Sequence, residues 1–564
     1  MLILSIIAIL LAPLGAALGR PFFNEVGNST WIFGNDLFNV TQGPTYAAEA
    51  TYNGLDIIGT AVGHYAGYDG EDNLQWTSAS IVSQGADCID IAFSSEFGDL
   101  HWVLFDDLPG AYQYFVNRAL PDLSIFRTLW RLNPKLFLNG RTYLRNQDLP
   151  DFSLYANATK VQDETFQIAN GTYITKYDWS DYVRDRDFYG IYGPTVGSWY
   201  IHPSTEYYDA SQLSQTLTVH RESSTGDSVQ LNVVQDTSHF RVGNTTPQLP
   251  SKVWGPWLWY LNNGSVDDVK RQREQELQKF PYPWLNDTSY HSRGSVTGSL
   301  RLSDGRSAAG AAIFLGDQNT TIRPLVQGSN YYYTTYADAA GQFNFTSVRS
   351  GSYGLYAWSN GGALADVYTN FTTSDVTVFD DQATNLGELS WKLPSQHSRI
   401  FQIGEFDKKA LGFENGGFPY QHGLTDLSPA NLTYIVGESN VSDWYYAQSA
   451  LGTWTIQFDL TAEDVLQHSN GSAILTVSLA GYSQSASLDI DVNGQLLGSL
   501  SNDNLASDPA LYRSGRNSGE WRLFQYSIDT ASLNAGTNNI AFTMTRSTQW
   551  KGFLWDSIIL EWGT

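Results

Sequence analysis

The chain has 564 residues, a formal net charge of -25 and one cysteine, Cys88. Such an acid excess excludes general affinity for nucleic acid or anionic membrane, but leaves room for a polyanionic ligand at a locally positive site. A lone cysteine excludes an intramolecular disulfide, so stability must come from large cores, which an aromatic content of 14% can supply.

Residues 1–19, MLILSIIAILLAPLGAALG, form an apolar run that ends in small residues before Arg20 and Pro21. This pattern predicts a signal peptide. No later apolar run is long enough to cross a bilayer, so the expectation is a secreted chain, monomeric and without a membrane partner once the leader is removed. Sequons at Asn28, Asn39, Asn157, Asn170, Asn244, Asn263, Asn286, Asn319, Asn344, Asn370, Asn431, Asn440 and Asn470 agree with export and predict N-glycosylation.

From residue 20 to 288 short alternating runs dominate, among them SIVSQ, DCIDIAF, HWVLF, QTLTVH and VQLNVV. Turn-forming clusters separate them, which predicts an all-β chain opening on a large antiparallel sandwich. Cys88 sits in DCIDIAF and reads as a buried strand residue. Only SVDDVKRQREQELQKF, residues 265–280, reads clearly as a helix: Ser265 caps it, Asp267 and Asp268 suit its N-terminal end, and Pro281 stops it. Its charged faces predict a solvated connector. Residues 289–396 read as a second, small sandwich with turns at DGR and AGQ. Residues 397–564 resemble a jelly roll, with DVNGQ as a hairpin signal and Trp444, Tyr445, Tyr446 and Trp550 as candidate sugar-binding rings.

The sparse cations gather in two windows. Residues 111–146 hold Arg118, Arg127, Arg131, Lys135, Arg141 and Arg145 against one acid, Asp122. TKYDWSDYVRDRDFYGIYG, residues 175–193, interleaves Lys176, Arg184 and Arg186 with Tyr177, Trp179, Tyr182, Tyr189 and Tyr192. Aromatic faces stack on sugar rings and guanidinium forks bind carboxylates, so the combination suits an acidic polysaccharide. His202, His220 and His239 add acid–base groups. A hydrolase with two carboxylates, drawn from Asp178, Asp185 and Glu164, is a competing arrangement that the cation-rich groove disfavours.

Several segments together resemble the rhamnogalacturonan lyases of polysaccharide lyase family four, most closely the secreted fungal branch. They are FRTLWRLNP, TKYDWSDYVRDRDFYGIYG, GSWYIHPSTEYYDASQLSQTLTVHRES, VWGPWLWYLNNG and the helix that runs into FPYPWLN. The resemblance covers essentially the whole mature chain. It implies a catalytic β-sandwich, a fibronectin type III-like domain and a jelly-roll carbohydrate-binding-like domain. It also implies an endolyase on the rhamnogalacturonan I backbone of pectin, with a lysine and a histidine as acid–base groups. Lys135 fits a lysine lying well upstream of the histidine, and Lys176 in TKYDW is the alternative. Where the family has V-H-G, this chain reads Phe188-Tyr189-Gly190, so Tyr189 takes the donor's place, or His202 or His239 substitutes. Arg127, Arg131, Tyr182 and Arg184 are the implied substrate-binding groups. No D-x-D-x-D-G loop is present, so activity is expected without a metal cofactor, with a structural Ca²⁺ left open. The alternative is a pectin-binding protein that has lost its proton donor.

Overall fold

The computed structural model describes residues 20–564 apart from 70–71, 122–124, 210–214, 237–248, 319–329, 395–397, 418–422, 470, 484, 502–510, 512–514, 517–520, 549 and 564. The expected leader, His239 and the sequons at Asn244, Asn319 and Asn470 lie outside the described residues. The chain is all-β, as three successive groups of sheets.

The first group stacks a nine-stranded antiparallel sheet against a five-stranded one. The five-stranded sheet runs in the order Val219–Arg221, Ser228–Asp236, Ile125–Leu132, His64–Tyr68 and Asp72–Asn73. Successive side chains of a strand point to opposite faces, so the segment FRTLWRL presents one face to the sandwich core and another on which Leu129 is buried between the two arginines. Phe126, Thr128, Trp130 and Leu132 are buried, while Arg127 and Arg131 stay half-buried on the other face. Trp130 stacks on Trp259 of the nine-stranded sheet at 4.3 Å and 19°, and Phe126 meets Trp254 at 4.7 Å. Pairs of this kind add about 0.5–1.5 kcal/mol each beyond their buried area.

Strand Val253–Asn262 is buried at every residue because both of its faces are covered. One meets the five-stranded sheet; the other lies under the helix Val266–Lys279 and Tyr282. Ser265 caps that helix as predicted, accepting from the Asp268 amide at 3.2 Å. The helix is more than a solvated connector. Val269 and Glu276 are fully buried, and the Glu276 carboxylate accepts hydroxyls from Tyr112 and Tyr282 at 2.9 and 2.5 Å. Cys88 opens the strand Cys88–Ser94 and is half-buried rather than buried.

The second group pairs a three-stranded and a four-stranded sheet. It shares a core with the first group through Phe314, Tyr332 and Trp358. Its polar anchor is Glu206, 2% exposed, which accepts both Arg293 nitrogens at 2.9 Å and Arg349 Nε at 2.8 Å. Burial pushes the Glu206 carboxyl up, but Arg349 and Arg293 outweigh it and hold the group at about 2.

The third group is a pair of sheets, one of which ends in the predicted hairpin, with Asn493 and Gly494 at φ 50° and 83°. Trp444 and Tyr446 fill its core at 0% exposure, so neither ring is available to a sugar; Tyr445 is half-buried. Trp550 is buried as well, against the first group. Among the described residues no helix is long and apolar enough to cross a membrane.

Replacing Glu206 by Gln leaves two buried guanidiniums uncompensated and should cost about 3–5 kcal/mol at neutral pH. The folded-state value lies below the ordinary glutamate range, so this stability is present above that range and is lost as pH falls toward about 2. Urea unfolding of wild type and Glu206→Gln should therefore show a gap that closes over that window. A gap independent of pH would contradict an anionic Glu206.

Candidate functional site

The outer face of the five-stranded sheet carries the cations that FRTLWRL turns away from the core. Arg131 pairs across the sheet with Val229, and Val229 with His220, so the arginine and the histidine share one cross-strand row. Two residues beyond His220, on the same side of the chain, Glu222 accepts Arg131 Nη1 at 2.8 Å. His220 Nε2 lies 4.0 Å from that carboxylate oxygen, and Arg131 Nη2 reaches the Tyr65 hydroxyl at 3.4 Å. Tyr65 stands edge-on to Tyr46 at 5.4 Å, and Tyr46 is 37% exposed, a ring open to a sugar face.

Lys176 enters from above this floor. It starts the 3₁₀ turn Lys176–Trp179, which packs on strand Val219–Arg221. Thr175 caps the turn by accepting the Tyr177 amide at 3.3 Å. A three-stranded sheet, Thr159–Gln162, Thr165–Gln167 and Tyr173–Thr175, holds it in place. The Lys176 amide donates to the Glu164 carbonyl at 3.3 Å, and Glu164 in turn accepts the Ser223 hydroxyl at 2.8 Å, beside Glu222. Lys176 Nζ is 3.3 Å from Asp163 Oδ2, which also accepts the Tyr177 hydroxyl at 2.6 Å.

The third group of sheets closes one end. Trp550 donates through Nε1 to Asp426 at 2.9 Å, meets Tyr173 edge-on at 4.8 Å, and shares a buried cluster with Tyr65, Leu129 and Tyr177.

Burial lowers the His220 imidazole far below its ordinary range; Lys176, Arg131 and Arg127 push it further down, against an upward pull from Glu222. Burial raises the Glu222 carboxyl, but His220 and the Arg131 hydrogen bond outweigh it and keep the group low. The floor is thus a neutral imidazole beside an ionised carboxylate, ringed by three cations. Such a site can exchange protons and stabilise a developing anion. Among the described residues no three His, Cys, Asp or Glu side chains are placed to hold a metal ion.

The structure brings together Arg127, Arg131, Lys176 and His220, and it parts the rest of the expected set from them. Lys135 is exposed in the turn after Leu132 and is not among the cations that bear on His220. Tyr189 is fully buried, its hydroxyl donating to the Leu231 carbonyl at 2.7 Å, with burial raising it well above the ordinary tyrosine range. His202 is buried against the Tyr207 hydroxyl at 2.9 Å. Tyr182 accepts from Gln215 at 2.8 Å under the Arg516 guanidinium, and Arg184 donates to the Thr335 carbonyl at 2.6 Å, both away from the sheet face. Asp185 accepts the Tyr336 hydroxyl at 3.0 Å, while Glu164 is engaged by Ser223 and Lys160. Glu222 follows the strand Val219–Arg221 directly, two residues beyond His220, so the spacing HRE was the signal within reach of sequence reasoning. Tyr65, Tyr46 and Asp163 carry no local signal.

Comparison with known proteins places these residues in context. Residues 303–386 match polysaccharide lyase family 4, domain II, and residues 399–560 match polysaccharide lyase family 4, domain III. The chain is 29% identical over 483 residues to the rhamnogalacturonate lyase of Dickeya dadantii, covering 82% of this chain and 80% of that protein. It is 25% identical to rhamnogalacturonate lyase B of Emericella nidulans, over 70% of this chain and 67% of that one.

The lowered imidazole can be read directly. In a histidine-labelled protein, with His220→Asn to assign the signal, His220 should remain neutral as pH is lowered through about 6.5, the ordinary histidine midpoint. Lys176→Ala should raise its midpoint and Glu222→Gln should lower it. A midpoint at the ordinary value in the unaltered protein would overturn this electrostatic account.

Proposed function

Because the chain belongs to polysaccharide lyase family 4, we propose that it cleaves the rhamnogalacturonan I backbone of pectin by β-elimination at rhamnose-(1,4)-galacturonate bonds. The observation that carries this reading is the gathering of His220, Arg127, Arg131 and Glu222 at one sheet face with Lys176 on the turn above it.

The chemistry asks for such a cluster. The C5 proton of a galacturonate lies alpha to a carboxylate, and removing it spreads a second negative charge onto that group. Arg127 and Arg131 bind the carboxylate and stabilise this charge more than they stabilise the ground state. The C5–H bond breaks, a C4–C5 double bond forms, and the C4–O4 bond breaks, leaving an unsaturated galacturonate at the new non-reducing end. The departing O4 takes a proton and becomes the rhamnose hydroxyl. In the galacto configuration H5 and O4 stand on opposite faces of the ring, so the two proton transfers need two walls. His220 on the sheet floor and Lys176 on the overhanging turn divide them. Glu222 orients His220 and Arg131, and Asp163 orients Lys176.

The chain acts within the polymer, outside the cell, as a monomer and without a metal cofactor; the resemblance of its segments to secreted endolyases supports this part. Tyr189 in the place of a histidine favours a mere pectin-binding protein, but His220, which Lys176 influences, supplies a histidine from another strand.

Absorbance of the unsaturated uronate on rhamnogalacturonan I tests the proposal. Wild type should give a steady rise, and Lys176→Ala and His220→Asn should each lower turnover by about 10²–10⁴. Lys135→Ala should keep its rate. A flat trace from wild type would end the lyase reading, and a matching loss in Lys135→Ala would relocate the base. Turnover should also survive a chelator; loss restored by Ca²⁺ would refute metal independence.

A further inference from the structure

The cation–aromatic stretch that supplies Lys176 does not end at the sheet face. Its second half turns away and lines a separate cleft between the first and second groups of sheets, of about 270 Å³. Pockets for drug-sized ligands measure about 300–1,000 Å³, so this cleft, at the small end, suits a single sugar ring rather than a chain. Its polar lining includes Arg184, Arg186, His202 and Arg273, with the hydroxyls of Ser204 and Thr334. Val183, Leu277 and Phe345 supply apolar surface.

Two buried nitrogens on this lining have no hydrogen-bond partner among the described residues: His202 Nε2 and Arg184 Nη1. His202 is only 5% exposed. Leaving a buried polar group unsatisfied costs about 1–3 kcal/mol, so each asks for an acceptor from outside. Burial, then the Arg186 charge, keeps the imidazole uncharged. Nδ1 lies 2.9 Å from the Tyr207 hydroxyl, which can donate to it or accept from it, so Nε2 is the unpartnered ring nitrogen. A carboxylate bound beside it would select the tautomer with the proton on Nε2.

The charge balance points the same way. The Glu206 carboxylate in the wall is already matched by Arg293 and Arg349, and Asp181 is consumed by Arg186 at 2.6 Å. Neither Arg184 nor Arg273 has an ion-pair partner among the described residues. Arg184 spends Nη2 on the Thr335 carbonyl and Nε on the Tyr336 hydroxyl, and Arg273 spends Nε on the Asp187 carbonyl. In a protein of net charge -25 this is a cleft of donors with positive charge to spare.

We propose that this cleft is a second binding site, distinct from the sheet face, for a single uronate residue whose carboxylate is held by Arg184, Arg273 and His202 Nε2. The hydroxyls of the lining serve the ring hydroxyls of the sugar, and the apolar surface receives a ring face. The inference does not rest on the lyase reading, because a protein without turnover would still bind here.

Calorimetric titration with sodium D-galacturonate tests it, using full-length protein carrying Lys176→Ala and His220→Asn so that the sheet face is disabled. The expected result is saturable binding of one equivalent in the millimolar range, with D-galactose binding at least tenfold more weakly. Arg273→Gln or His202→Asn, added to that background, should each weaken galacturonate at least tenfold. Arg273 is a half-buried helix residue, so its variant keeps the test valid if the His202 substitution fails to fold. No saturation, equal binding of galactose, or binding indifferent to Arg273→Gln would overturn the proposal. So would inorganic sulfate binding as tightly as galacturonate, which would mark an unselective anion site.

Discussion

The period-two alternation of one strand, Ile125–Leu132, is the constraint on which the rest depends. Its inner residues, Phe126 and Trp130, are locked into an aromatic stack with Trp254 and Trp259 of the opposing sheet. A slip of one residue would send those rings to the outer face and bury two guanidiniums. The same packing that stabilises the sandwich therefore fixes Arg127 and Arg131 on the outer face. Their positive charge is tolerated because that face stays partly hydrated and because Glu222 answers Arg131 directly. Full burial of such charges would instead carry a heavy desolvation cost.

Around that strand the site is assembled from distant parts of the chain. His220 comes from the edge strand and Glu222 from the residue just past its end, Lys176 from a capped turn, and Tyr65 from the neighbouring strand on the other side. Trp550, more than three hundred residues after Lys176, seals the end of the cluster. The third group of sheets thus acts partly as a wall of the site, and its aromatic residues are largely spent on packing. The buried Glu206 triad performs the corresponding task between the first two groups. Three regions that read as separate domains consequently have polar and aromatic seams of specific geometry.

Much of the fold was legible in advance. The helix cap at Ser265, the Asn493–Gly494 hairpin and the alternating strands all rest on local chemistry, and the structure reproduces them. The candidate site was legible only in halves. FRTLWRLNP and LTVHRES each advertise polar residues at strand spacing, but nothing local says that the two strands share a face. Between the two lysines the sequence favours Lys135, on its place well upstream of the histidine alone; in the fold Lys135 ends in an exposed turn and Lys176 meets Asp163. Tyr189 matched a motif position yet faces inward, and Trp444 and Tyr446 read as ready for sugar but fill a core. The cation–aromatic stretch reads as one wall, whereas its three cations go to the sheet face, the cleft and the interior.

What the sequence by itself determined was the all-β architecture, the strand faces and the chemical character of the ligand, since periodicity, turn residues and charge clustering act over a few neighbouring residues. What only the tertiary structure decided was which lysine bears on His220, and which arginines the sheet turns to its outer face. Those outcomes depend on sheet order, on register across strands far apart in the chain, and on how burial among distant residues shifts a proton's affinity. None of these is a property of any short segment.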